Sequence, residues 1–185
     1  KYFEGKVPAM ANLNEKDQAA IEEMNQYPDK IAHLLDTYRF REALSELMNL
    51  ARLGNRYLTE NEPWKQFKTD PERVKTVLAV SLQIVAKLAI LSEPFLPFSA
   101  KKLQAMIGLE VSGWNQAKET VLLNEDSVIG EVELLFTKIE DETVAAQVKK
   151  LEDTKAQNEL NAWAPKPIKP ETNIDEFGKM DIRVG

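Results

Sequence analysis

Along the first hundred residues, apolar positions recur at helical spacing. Asn14 stands where an N-cap belongs, with Asp17 three residues on in the capping-box position. Ile21, Met24, Ile31, Leu34 and Leu35 supply the apolar side of that helix, and Tyr27-Pro28 predicts a break or kink, because proline lacks an N–H. Phe40, Ala43, Leu44, Leu47, Met48, Ala51, Gly54 and Leu58 predict a second helix, with Gly54 allowing close helix approach. That pattern breaks around Asn61 to Pro63. Asp70-Pro71 then pairs a capping aspartate with proline at the first helical position. Val74, Val77, Leu78, Leu82, Val85, Leu88, Ala89 and Leu91 make the next helix apolar over much of its circumference, so it should lie centrally. Pro94 and Pro97 stop it, and Ser99 to Ile107 gives a short helix ending at Gly108.

Past Gly108 the pattern changes. Residues 109–140 read as irregular structure with one short strand at Glu131 to Phe136, where Val132 and Leu134 alternate with acids. A polar helix follows from about Glu140 to Leu160, with Val144, Val148 and Leu151 as a narrow apolar seam. Residues 164–170 carry three prolines and read as a stiff linker, and Ile174 to Gly185 reads as the opening of another domain. The expected organisation is therefore a helix bundle over 1–108 and an irregular segment over 109–140 that packs toward a part of the protein outside these residues. A linker helix and Pro-rich linker over 141–172 and a truncated further domain over 173–185 complete it. The fold class is all-α: an antiparallel bundle followed by a polar linker helix and an extended tail. A start without methionine and an end in mid-pattern read as a piece of a longer protein.

Composition narrows the chemistry. The 185 residues include no cysteine and one histidine, His33. Thiolate zinc sites, cysteine nucleophiles and multi-histidine metal centres are excluded, and no metal site is expected. His33 itself reads as a packed or half-exposed helix residue, and Trp114 and Trp163 as packing residues. With 24 basic and 30 acidic side chains the formal charge is −6, so any nucleic-acid contact must be local. No run of about 18 apolar residues and no signal peptide stands out, so no membrane association is expected.

One stretch concentrates candidate chemistry. NRYLTENEPWK, Asn55 to Lys65, places polar, cationic and aromatic groups at a helix end and the start of the next. Asn55 and Thr59 share one face at i, i+4, as do Arg52 and Arg56. Pro63 fits a first helical turn, Trp64 follows it, and Lys65 and Lys68 add positive charge. Such a set can read single-stranded nucleic acid: an aromatic ring stacks on a splayed base, asparagine bonds base edges, and arginine or lysine holds phosphate. By residue type alone, a tryptophan behind a proline is read first as a core anchor. That alternative makes the chain a non-catalytic helical interaction module with Trp64 in its core.

The same residues resemble a known family. Asn55, Tyr57, Glu60, Pro63 and Trp64 are similar to the helix-turn-helix signature of the anticodon-binding domain of class I aminoacyl-tRNA synthetases, those for methionine in particular. Leu91 to Leu103 (LSEPFLPFSAKKL) and Phe136 to Glu140 (FTKIE) resemble later segments of that domain. Ile174 to Gly185 (IDEFGKMDIRVG) resembles the first strand of the oligonucleotide-binding-fold domain appended to many bacterial members. The resemblance implies recognition of the CAU anticodon of tRNA(Met), with Trp64 stacking on the first anticodon base and Pro63 shaping its pocket. Asn55, Arg56 and Thr59 match further positions of the reading face, although Thr59 stands where several members have aspartate. Arg52, Lys65 and Lys68 are candidate phosphate contacts. A preceding helix with further anticodon contacts is expected upstream of Lys1. ATP and zinc would belong to a catalytic half outside these residues, so no catalytic residue, cofactor or metal is assigned here. The resemblance implies a cytoplasmic ligase, partnered by tRNA(Met) and its own catalytic domain and dimerising through the appended domain. Synthetases for leucine, isoleucine or valine are the near alternative.

Overall fold

The computed structural model describes residues 3–161, 173–180 and 183, which fall into two compact units divided after Phe136. In the first unit, α1 spans Glu15–Asp36, α2 Phe40–Asn61, α3 Pro63–Gln66, α4 Pro71–Leu91 and α5 Pro97–Met106. A 3-10 helix over Trp114–Lys118 follows. The second unit holds α6, Asp141–Leu160, and α7, Ile174–Phe177. The all-α reading stands, and there is no strand among the described residues beyond one isolated bridge between Lys6 and Val128.

The helix starts form for the reasons their sequences suggest. The Asn14 side chain accepts from the Asp17 amide at 3.0 Å, and the Asp17 carboxylate accepts from the Asn14 amide at 2.9 Å. Asp70 caps α4 by accepting from the Arg73 amide at 2.9 Å, with Pro71 at the first turn. α1 and α2 join through a three-residue turn and pack as an antiparallel hairpin, while α4 packs on both. α4 is central as expected: Val74, Val77, Ala79, Val80, Ile84, Ala86, Ala89, Ile90 and Leu91 are all buried. It is long and apolar enough to cross a membrane by composition, but most of it is buried inside the protein. Gly54 lets α2 and α4 approach closely; a Cβ there would lie 3.2 Å from Cγ2 of Ile84.

Three expectations are corrected. α1 runs unbroken through Pro28, which is buried in it. The buried face of α2 is Ala43, Leu47, Leu50, Leu53, Tyr57 and Asn61, whereas Phe40, Leu44 and Met48 are exposed. Residues 131–136 form no strand: no second strand pairs with them among the described residues, and Val132, Leu134 and Phe136 are exposed.

Residues 109–130 pack with the helices. Leu109, Ala117 and Leu123 are buried, and Trp114 is half-buried against the core. Two polar side chains of α4 hold this segment. Gln83 accepts from the amides of Leu122 and Leu123 at 2.7 and 3.1 Å and donates to the Leu123 carbonyl at 2.8 Å. Lys87, fully buried, donates to the carbonyls of Ala117 and Glu119 at 2.6 and 2.7 Å. Burial pushes its ammonium down to about 8, against a small opposing pull from Glu119.

In the second unit α6 buries none of its residues, its Val144–Val148–Leu151 seam included. Ile174 to Phe177, read as part of a strand, form one helical turn capped by Asn173. Trp163 and the Pro-rich linker at 164–170 lie outside the described residues, as do Asp181, Ile182, Val184 and Gly185.

Candidate nucleic-acid interface

Three helix ends converge: the start of α1, the end of α2 and the start of α4. Asp17 is fully buried there. Its carboxylate receives Arg73 from α4 in a bidentate pair, Nη1 to Oδ2 at 2.5 Å and Nη2 to Oδ1 at 2.7 Å. The Tyr57 hydroxyl of α2 donates to Oδ1 at 2.6 Å. Burial pushes the Asp17 carboxyl up, but the bonds from Arg73, Tyr57 and the Asn14 amide, with Arg73's charge, outweigh it and hold the group below its ordinary value. Burial, reinforced by Asp17, pushes the Tyr57 phenol up. Arg73 Nη2 also donates to Asn61 Oδ1 at 2.8 Å, and Asn61 Nδ2 donates to the Tyr57 carbonyl at 2.9 Å.

The chain leaves this knot at Glu62, whose φ of 39° and ψ of 54° are left-handed. Pro63 is buried at the start of α3. Trp64, the next residue, is 54% exposed. The reading that puts Trp64 in the core is therefore wrong: Pro63 takes the buried position and sends the following side chain outward. Asn55 and Thr59 are exposed on α2, on the face their spacing gives them. Asn55 lies inside the helix and caps nothing. Arg52 and Arg56 are exposed, Arg52 donating to Asn49 Oδ1 at 2.7 Å and Arg56 paired with Glu23 of α1 at 2.7 Å. Lys65 pairs with Glu62 at 2.6 Å, and Lys68 is exposed. Residues 52–68 thus carry four cations and two carboxylates, in a chain that is acidic as a whole.

Sequence reasoning missed Asp17, Tyr57, Asn61 and Arg73 as one cluster, since its members are distant in the chain. The available signal was Asp17 itself: an acid already assigned to a cap carries spare acceptor capacity that a buried position must fill. His33 is exposed in the last turn of α1 and is not packed in the core. Among the described residues no cluster of acids and histidine is arranged to hold a metal ion.

Comparison with known proteins decides the family. Residues 7–156 match the model of the anticodon binding domain of methionyl tRNA ligase. The chain belongs to that family. It is 51% identical over 184 residues to the methionine–tRNA ligase of Cytophaga hutchinsonii and 50% identical over 185 residues to that of Parabacteroides distasonis. Both matches cover all of this chain and 27% of the relative, so the chain spans about a quarter of the length of the ligases it matches. Its fold is shared with the free-state crystal structure of Mycobacterium tuberculosis methionyl-tRNA synthetase, at TM-score 0.68 and 22% identity over 76% of this chain and 29% of that one.

Proposed function

We propose that this chain reads the CAU anticodon of a methionine tRNA for a methionine–tRNA ligase, and that Trp64 is the ring on which the first anticodon base stacks. The observation that carries the reading is the exposure of Trp64 on a turn whose backbone is anchored from beneath. An exposed tryptophan on a free loop would lose its rotational freedom on binding; one on an anchored turn has less to lose. Asn55, Arg56 and Thr59, exposed on the last turns of α2, are offered as base-edge partners or phosphate contacts, and Arg52, Lys65 and Lys68 as sources of phosphate attraction. ATP-dependent attachment of methionine belongs to the remainder of such a ligase, in the cytoplasm where tRNA is charged.

Binding of a hairpin bearing CAU, compared with the same hairpin with its first anticodon base changed, tests this. Preference for CAU that disappears in Trp64→Ala supports it. Equal binding of the two hairpins by the intact protein overturns it.

A further inference from the structure

Asn61 is the last residue of α2 and is 7% exposed. Every polar group of its side chain is engaged, Oδ1 by Arg73 and Nδ2 by the Tyr57 carbonyl. Its main-chain carbonyl accepts from Gln66 Nε2 at 2.9 Å. That last bond reaches back across the turn, so residues 61–66, α3 included, form a short loop that this side-chain contact closes and that main-chain bonds from Lys65 to the Glu62 carbonyl and from Phe67 to the Pro63 carbonyl stiffen. Trp64 lies inside this loop, between the left-handed Glu62 and Gln66. The two ends of the loop are thereby fixed relative to each other, and one end is fixed to α4 and α1 through Arg73 and Asp17.

Neither Asn61 nor Arg73 is placed to touch RNA. The Arg73 side chain is 17% exposed and spends its guanidinium on Asp17 and Asn61. Their effect on a ligand must run through the backbone of the turn. We infer that Asn61, gripped by Arg73 on one side and by Gln66 on the other, is the positioning residue that sets the direction in which Trp64 leaves the surface. This rests on the proposed anticodon reading.

The test uses the full-length ligase that carries this chain, with aminoacylation measured on tRNA bearing CAU and on tRNA with the first anticodon base altered. Asn61→Leu removes both side-chain bonds and keeps the branching and number of side-chain heavy atoms. Gln66→Ala opens the other side of the loop and leaves the buried ion pair untouched. Each is expected to raise KM for tRNA and to lower discrimination between the two anticodons, by about tenfold for Asn61→Leu and less for Gln66→Ala. Methionine-dependent pyrophosphate exchange, which needs no tRNA, stays at its wild-type rate in both. Gln66→Ala decides the matter where Asn61→Leu does not fold. Wild-type discrimination in a folded variant overturns the positioning role when Trp64→Ala loses that discrimination. Unchanged discrimination in Trp64→Ala overturns the anticodon reading, and the positioning role with it.

Discussion

Arg73 and Asp17 stand 56 residues apart in sequence and meet as a bidentate ion pair at the junction of α1 and α4. Asp17 is at once half of a capping box and the buried counter-ion of a different helix. A carboxylate removed from water is tolerated because each oxygen has two donors: Arg73 and Tyr57 on Oδ1, Arg73 and the Asn14 amide on Oδ2.

Asp17→Asn should destabilise the protein by roughly 3–5 kcal/mol, because it leaves the Arg73 guanidinium without its charge partner. Urea unfolding at neutral pH measures this. A loss under about 1 kcal/mol would show that water reaches the pair and screens it.

The same carboxyl gives an acid dependence. Its folded value lies below the unfolded one of about 3.9, so the unfolded state binds the proton first as pH falls. The stabilisation is complete above that unfolded value and disappears as pH drops through the lowered one. Stability measured from pH 6 downward should fall more steeply below about pH 4 in the wild type than in Asp17→Asn. Parallel curves would remove Asp17 from the acid transition.

Lys87 gives a dependence of the same sign in an alkaline window, for a different reason: burial penalises its charged form. Its ammonium titrates near 8 when folded and about 10.4 when unfolded, so between those values the unfolded state holds more protons and stability rises with pH. Lys87→Met orphans the carbonyls of Ala117 and Glu119 and should cost about 1–3 kcal/mol at pH 7. The gap from wild type should widen between pH 8 and pH 10. A narrowing gap would mean that the ammonium is not desolvated.

Gly108 closes α5 with φ +63°, and a Cβ there would come within 2.6 Å of the Val128 carbonyl oxygen. Gly108→Ala should therefore cost more than the roughly 1–2 kcal/mol of the left-handed backbone alone. Thermal unfolding measures it, and an unchanged melting temperature would mean that residues 128–130 move aside freely.

Lys68→Ala should weaken binding to any anticodon hairpin about equally and reduce the slope of log affinity against log salt by about one. A changed preference among hairpins with an unchanged slope would assign Lys68 to base contact instead.

The sequence pattern yielded what is local. The Asn14 box, the Asp70-Pro71 start, the Gly54 approach and the apolar girth of α4 each rest on spacing within a few residues, and each is present. Pro28 does not break α1, because burial of its ring in the apolar face offsets the missing N–H. The strand at 131–136 was misread because alternation describes one strand and says nothing about a partner. Trp64 was ambiguous by residue type, since either Pro63 or Trp64 could take the buried place. Gln83 and Lys87 left a trace: two polar residues at i, i+4 in a helix buried all round must find partners. Which partners they find depends on a segment some thirty to forty residues away.

Those two side chains grip only main-chain atoms of residues 117–123. α4 therefore reads this stretch without reading its identity. Its exposed side chains are free to drift over evolutionary time, while its path is not. Proline is the exception: at 122 or 123 it would delete an amide that Gln83 accepts from, so these are positions where an otherwise permissive segment should refuse it.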